Sequence, residues 1–562
     1  MSDTSPTTAE RYLEVLRDRG IESLFVNAGT DFAPMVEAYA GNPDAAEQFP
    51  VPVLGGHENL IAGMAHGAYL ATGETQAVMF HVSVGTANAV CAVINAARDN
   101  IPMLVTAGRT PVFESDVLGS RDLPIHWAQE MFDQSSMLRE AVKWEYELKD
   151  GRQIEAVVDR AIAIANTEPK GPVYLTLPRE VLASTTSAPV SRAPASPPTP
   201  AAPDGDAIDS VVDRIAAARL PVIVTARSGA DHSTVAALAS LSETYAIAVA
   251  EVGGRYVNLP DGHPNLIGRP EAVYADADVV VYLDCDVPWM ESAGAPSPDA
   301  HVVQTGPDPI FARYPMRTHR SNSTITTGTA AFLGALERGL SRRADDIDQG
   351  RADRIAAIAA AHRDRIVGAA DAELAADGAI TKSYLSMVLG ELAPTDAVLV
   401  NEYWMQPPHL RRTLPGTFFG LPTAGGLGWG LPVALGVQHA RPDATVICGV
   451  GDGAYMFANP AVCHHAAAKH DLPVLTIVAN NARWAAVDGS TRMVYPDGDA
   501  ARTNSTIMSD LSPMPDLQMY AVASGGFGAQ VTDRSQLRPV LEAALRVVQT
   551  ERRQAVVDVA CA

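Results

Sequence analysis

Residues 445–488 constrain this chain more than any other stretch: TVICGVGDGAYMFANPAVCHHAAAKHDLPVLTIVANNARWAAVD. Residues 445–450 form a short apolar run rich in β-branched side chains, the composition of a buried parallel strand. Gly451-Asp452-Gly453 follows at once, where the chain must turn and approach something closely. A helix-length segment at 460–470 comes next, then a second apolar run, 474–479, that ends on Asn480-Asn481. Strand, loop, helix and strand make one unit. If its strands are parallel and adjacent, Asp452 and Asn481 stand side by side at their carboxyl ends, where ligands collect in open α/β sheets.

The side chains suit a hard cation. Asp452 offers a carboxylate, Asn481 an amide oxygen, and the carbonyl of Arg483 a third oxygen. With a diphosphate and water these complete the octahedral oxygen shell that magnesium prefers. Gly451 and Gly453 let backbone N–H groups reach the diphosphate, and the following helix N-terminus adds a favourable field. Each half alone also reads as an ordinary turn or strand end. The two together, 29 positions apart and both at expected strand ends, point to a metal–diphosphate site.

A chain of 562 residues is too long for one core and divides into several domains. In residues 1–184, short apolar strands (23–26, 52–54, 76–81, 103–107, 171–178) alternate with helices over 9–19 and 59–71 and a Gly/Ala-rich loop and helix over 85–95. Small residues (Ala62, Gly63, Ala65, Gly67, Ala68) line helix 59–71, so it can pack closely against a partner. Residues 185–205, dense in Pro, Ala and Ser, read as an extended linker. Strands at 220–225, 246–250 and 279–283 define a middle domain, 206–342, and a charged helical connector covers 343–378. The last domain is 379–562, with a strand at 398–400 and a glycine-rich turn at 422–430. The expected fold class is α/β, three doubly wound open parallel-sheet domains.

Composition removes several function classes. The net charge of −23 argues against a nucleic-acid or anionic-membrane surface. No apolar run approaches the roughly 18 residues of a membrane span. The opening MSDTSPTTAERYLEVLRDRG reads as a polar lead into an amphipathic helix, not a signal peptide. Five scattered cysteines without paired metal spacing fit a reduced, cytoplasmic protein.

The Gly451-Asp452-Gly453 to Asn480-Asn481 segment resembles the signature of thiamine diphosphate-dependent enzymes. Three further stretches carry the resemblance. Glu58, after a strand and before a small-residue helix, matches the family glutamate that hydrogen-bonds the cofactor's aminopyrimidine ring. Residues 80–89 (FHVSVGTANA) are similar to the His-Ser…Gly-Thr-Gly-Asn-Ala stretch of benzoylformate decarboxylases, departing from it at Val82 and Ala87. Residues 422–430 (PTAGGLGWG) match a family string whose glycine carbonyl binds the cofactor's amino group and whose bulky apolar residue wedges it into a V shape. Those positions are Gly425 and Leu427.

The resemblance implies the order pyrimidine-binding, middle and diphosphate-binding domain, with thiamine diphosphate and Mg2+ as cofactors. It implies metal ligation by Asp452, Asn481 and the Arg483 carbonyl. Cofactor contacts fall on Thr30, Glu58, Asn88, Glu402, Gly425, Leu427, Gly451, Asp452, Gly453 and Asn481. Glu58, His81, His126 and Asp488 are the catalytic candidates; each also reads as a structural residue, Glu58 as a first-turn acid against the helix dipole. In the family the middle domain holds FAD, ADP or CoA in some members, and this chain has no GxGxxG fingerprint there. Because the family places its cofactor between two chains, a homodimer or homotetramer is implied. The implied chemistry is decarboxylation or carboligation of a small 2-oxo acid through a thiazolium ylide. A 2-hydroxyacyl-CoA lyase, an acetolactate synthase-like transferase and a cofactor-binding protein without turnover are the other readings.

Overall fold

The structure, a computed structural model, describes residues 5–186, 193–194 and 196–562. Residues 187–192 and 195 of the expected linker lie outside the described residues. From 196 to 204 the chain has no helix or strand and is mostly exposed, as its lack of apolar anchors requires.

Three parallel six-stranded sheets make up the fold, in agreement with the alternation of short apolar runs and helices. The first holds β1 (Ser23–Val26), β2 (Val51–Leu54), β3 (Gln76–Phe80), β4 (Met103–Arg109), β5 (Glu145–Glu147) and β6 (Val173–Pro178), in the order β2-β1-β3-β4-β6-β5. The second holds β7 (Pro221–Thr225), β8 (Ala248–Glu251), β9 (Leu266–Gly268), β10 (Val279–Leu283), β11 (His301–Gly306) and β12 (Ser323–Thr326), in the order β12-β11-β10-β7-β8-β9. The third holds β13 (Val398–Glu402), β14 (Phe418–Gly420), β15 (Val446–Gly451), β16 (Val474–Asn480), β17 (Phe527–Val531) and β18 (Ala555–Ala560), in the order β14-β13-β15-β16-β18-β17. The central strands are buried on both faces, which explains their unbroken apolar runs.

The chain forms two compact units. One comprises residues 1–197, 400–404 and 421–562, and so carries the first sheet and most of the third. Its first core is seated by the helix Thr8–Asp18, whose N-terminus is closed by a reciprocal capping box between Thr7 and Glu10. Tyr12, Leu13 and Leu16 of that helix bury with Leu24, Met79, Leu104 and Leu175. Helix Glu58–Thr72 packs on helix Gly430–Ala440 at backbone distance. A Cβ on Gly67 would lie 2.0 Å from the Val433 carbonyl oxygen, and one on Gly436 1.9 Å from that of Met64. The small residues of the first helix thus meet a partner in the same chain.

The second unit comprises residues 198–399 and 405–420. Its helix Gly350–Ala375 covers most of the expected connector, but its start belongs to the core. Ile355 and Ala359 bury with Val222, Val224 and Tyr282. Arg351, fully buried, donates to the carbonyls of Ile215, Ala218 and Tyr245. A stripe at spacing four is enough to dock a helix whose other faces are charged.

Gly67→Ala tests the helix contact. Its methyl has no room without moving backbone, so stability should fall by about 3 kcal/mol. Denaturant unfolding checks this; an unchanged midpoint would show that the helices separate freely.

Candidate active site

In the third sheet β15 and β16 pair in parallel with Gly451 opposite Ala479, which brings Asp452 and Asn481 together. Asp452 is buried, and its Oδ2 accepts the N–H groups of Asn481 (3.2 Å) and Arg483 (3.3 Å), while Oδ1 accepts Gly453 N–H at 2.8 Å. Asn481 Oδ1 accepts the Arg483 N–H at 3.1 Å. Burial raises the Asp452 carboxyl above its ordinary value, and these N–H groups counter it. Asp452 does not sit in an open turn: it opens a six-residue helix, Asp452–Phe457, and Gly453 lies inside it. The second glycine is needed for room, because a Cβ there would lie 2.1 Å from the Trp484 ring. Gly451 faces open space, with nothing within 4 Å of a built Cβ.

The glycine-rich turn is fastened at both ends. Gly425 and Gly428 have φ of +63° and +81°, the left-handed region that favours glycine. The Asn95 side chain donates to the Gly426 carbonyl at 2.8 Å and accepts its N–H at 3.1 Å. Glu402, at the end of β13 and fully buried, accepts Gly428 N–H (2.8 Å) and Gly430 N–H (2.7 Å). Burial pushes its carboxyl up to about 7, against the lowering effect of those N–H groups. Half-buried Leu427 is held between the two clamps.

At the carboxyl ends of the first sheet, Glu58 opens helix Glu58–Thr72 behind the N-cap His57 and is 7% exposed. Asn88 donates to its Oε2 at 3.0 Å. Gly85, one turn earlier, leaves space for it, since a Cβ there would lie 2.9 Å from Glu58 Oε1. Both belong to a single helix, Val82–Arg98, which begins earlier than the loop-and-helix expected over 85–95. His81 caps that helix. Its Nδ1 pairs with Asp31 Oδ1 at 2.6 Å, and its Nε2 lies 3.4 Å from Gln129 Nε2. Asp31 carried no distinguishing signal in the sequence; it sits one place past Thr30 and only the fold brings it to His81.

Most of the other expected site residues have partners within the chain. His126 is buried in the loop, and its Nδ1 accepts the N–H groups of Asp122 (3.2 Å) and Leu123 (3.4 Å). Burial and nearby Arg179 hold it below the ordinary histidine value, and these two bonds brace its own loop. Asp488 is paired with Arg492 Nε at 3.1 Å through both oxygens, one turn along the same helix, which leaves it an intrahelical ion pair. Asn88 and Glu402, expected at the cofactor, are engaged by Glu58 and by the glycine turn; buried carboxylates draw whatever N–H groups are in reach. Thr30 is exposed at the carboxyl end of β1. The Arg483 carbonyl accepts the Ala485 N–H at 2.9 Å, which leaves its second lone pair for a cation.

In the second unit the strand order reverses between β7 and β10, where open sheets bind nucleotides. Ion pairs fill that place: Arg227–Asp284 at 3.5 Å and Arg255–Asp286 at 3.2 Å, with Arg317 donating to the carbonyls of Asp286 and Cys285. Among the described residues no cluster of three or more His, Cys, Asp and Glu is placed to hold a metal. The oxygen set at Asp452 has a single carboxylate, so it is not of that type.

Comparison with known proteins agrees with this geometry. The models of the thiamine pyrophosphate enzyme N-terminal and C-terminal TPP binding domains match residues 6–137 and 401–559. The chain belongs to the thiamine pyrophosphate enzyme family, and it is a thiamine diphosphate-dependent enzyme of the group that contains decarboxylases and carboligases. It is 26% identical to benzoylformate decarboxylase of Pseudomonas aeruginosa over 97% of each chain. It is likewise 26% identical to sulfoacetaldehyde acetyltransferase of Rhodobacter capsulatus, over 87% of this chain and 85% of that one. Among solved structures, the 4-hydroxybenzoylformate decarboxylase of Rhodococcus jostii superposes with a TM-score of 0.77 at 22% identity, covering 99% of both chains. Benzoylformate decarboxylase from Polynucleobacter necessarius gives 0.79 at 19%, over 99% of this chain and 98% of that one.

Glu402 makes a pH prediction. Its folded-state value of about 7 is raised above 4.5, so its contribution to stability is full below pH 4.5 and is lost as pH rises through 7. Glu402→Gln should therefore flatten the fall in unfolding free energy between pH 5 and pH 8. Urea melts at the two pH values read this directly, and an equal slope in both proteins would refute it.

Proposed function

We propose that this chain is a thiamine diphosphate- and Mg2+-dependent carbon–carbon lyase that decarboxylates a 2-oxo acid, with carboligation as its companion activity. One observation carries the reading: the first sheet presents Glu58 and a histidine backed by a carboxylate at the same end. Burial, with Asn88 the one side-chain donor to it among the described residues, suits Glu58 to exchange a proton with a basic ring nitrogen. His81, raised above its ordinary value mainly by the Asp31 hydrogen bond, suits a substrate carboxylate or carbonyl oxygen.

The chain's donors fit the implied cofactor. Among the described residues the partners of buried Asp452 are neutral N–H groups with no counter-charge, and Asp452, Asn481 and the Arg483 carbonyl supply the all-oxygen set Mg2+ prefers. Open space over Gly451, before a helix N-terminus, admits a diphosphate. The turn held by Asn95 and Glu402 fixes Gly425 and Leu427, an orienting role. When bound, the cofactor supplies the electron sink for cleaving the bond to the carbonyl carbon. The ion pairs of the second unit support a middle domain that carries no FAD, ADP or CoA, which weighs against the CoA-lyase reading.

Exposed Val84, Ala87, Cys91 and Ile94 form one stripe along helix Val82–Arg98, with Val84 at 45% and Ile94 at 39%. An apolar stripe beside the site supports a homodimer as the working unit. The five cysteines, none of them in a disulfide, support a reducing, cytoplasmic setting. No helix among the described residues is long and apolar enough to cross a membrane.

Turnover of pyruvate, benzoylformate, a branched 2-oxo acid and a 2-hydroxyacyl-CoA should be measured with and without thiamine diphosphate. Product from a 2-oxo acid is expected, lost after chelation and restored by Mg2+, with Glu58→Gln lowering kcat on the order of 1000-fold. Product from the CoA ester alone would transfer the assignment to that lyase, and failure to bind the cofactor would remove it. Separately, Ile94→Lys should shift the sedimentation mass from dimer toward monomer. A wild-type chain that sediments as a monomer would end the dimer reading.

A further inference from the structure

We infer that Asp31 is a positioning residue which, with Gln129, holds the His81 ring as a two-sided hydrogen-bond donor aimed at the acidic substrate. The inference rests on the reading above for the identity of that substrate, and on geometry for the rest.

Asp31 is 3% exposed, at the start of the turn after β1. Its Oδ1 lies 2.6 Å from His81 Nδ1, and its Oδ2 accepts the Val82 N–H at 3.3 Å. The pair is packed into a slot that two glycines leave open. A Cβ on Gly29 would lie 2.2 Å from His81 Nδ1, and one on Gly108 1.7 Å from Asp31 Oδ2. Neither position admits a side chain while the pair stands. Val82 has φ +29°, a left-handed conformation that is costly for a β-branched residue. Such strain persists only where surrounding bonds over-determine it. Here those bonds are the Val82 N–H to Asp31 and the Gly85 N–H to the His81 carbonyl at 2.7 Å.

The far side of the ring completes the case. Among the described residues Gln129 Oε1 is buried without a hydrogen-bond partner, while its Nε2 lies 3.4 Å from His81 Nε2. Turning the amide over brings the oxygen to that nitrogen and satisfies it, provided Nε2 carries a proton. With Nδ1–H already directed to Asp31, the ring is then protonated on both nitrogens. Ser83 Oγ fastens the backbone of Gln129 by donating to its main-chain carbonyl at 2.7 Å, which leaves the side-chain amide able to turn. The charged groups that face the ring are Asp31 from its turn and Glu58 from the adjoining helix; the loop contributes only the neutral Gln129. The Asp31 hydrogen bond and both negative charges raise the ring above the ordinary histidine value, and burial opposes them. A substrate carboxylate or carbonyl oxygen that displaces the Gln129 amide inherits the Nε2–H bond.

The test uses the full chain without cofactor, labelled at histidine Cε1, with His81 assigned by its absence in His81→Gln. NMR titration should place wild-type His81 above free histidine, and Asp31→Asn should move it to lower pH. A wild-type His81 at or below the free value, or one that Asp31→Asn leaves in place, overturns the inference. This reading stands apart from the cofactor, so a failed thiamine assignment would leave it untouched. With substrate, Asp31→Asn should lower kcat on the order of 100-fold while KM moves less than about threefold. The alkaline limb of the rate profile should move to lower pH, and Asp31→Asn should add nothing in a His81→Gln background. Equal losses in both backgrounds would make Asp31 merely structural. Should Asp31→Asn fail to fold, the wild-type titration decides alone.

Discussion

The first unit depends on two helices that touch through their backbones. Gly67 against the Val433 carbonyl and Gly436 against that of Met64 allow an approach no side chain would permit. Dispersion and burial at that distance hold helix Glu58–Thr72 on helix Gly430–Ala440. Both helices begin at site residues. Glu58 opens one, and Gly430, the last residue of the clamped turn, opens the other. Fixing the helices therefore fixes where the acid and the glycine turn stand.

Around that contact, polar groups, most of them buried, position one another. Asn88 steers Glu58, Asp31 steers His81, and Asn95 with Glu402 fastens the turn that carries Leu427. Helix Val82–Arg98 supplies two of these residues two turns apart, so one rigid element serves both the acid and the turn. This is the usual economy of a site in low dielectric, where an unpaired polar group is costly and a paired one is rigid.

Most of the fold was legible in the sequence, because a strand buried on both faces must be a short apolar run and a crossover helix must follow it. What escaped were the interior strand β11, whose apolar run is cut short by His301 and Gln304, and the edge strands β5, β9, β12, β14 and β17, most of them short and only partly apolar. The connector was legible as a charged helix, but not its docking: the buried stripe at 351, 355 and 359 is too narrow to show against its charges. Gly-Asp-Gly was read as a turn, whereas Asp452 begins a helix whose second glycine answers to Trp484, a residue 31 places further on.

The sequence by itself determined the class of protein, since the spacing of Asp452 and Asn481, the place of Glu58 and the glycine string of 422–430 are local patterns on single strand–helix junctions. Tertiary structure alone decided which partners the candidate residues have. It set His126 to brace a loop, tied Asp488 to Arg492, and brought Asp31 to His81 across 50 positions of chain. Junction chemistry is written in neighbouring residues. Hydrogen-bond partnership is decided by which strands lie side by side, and that is a property of the packed sheet.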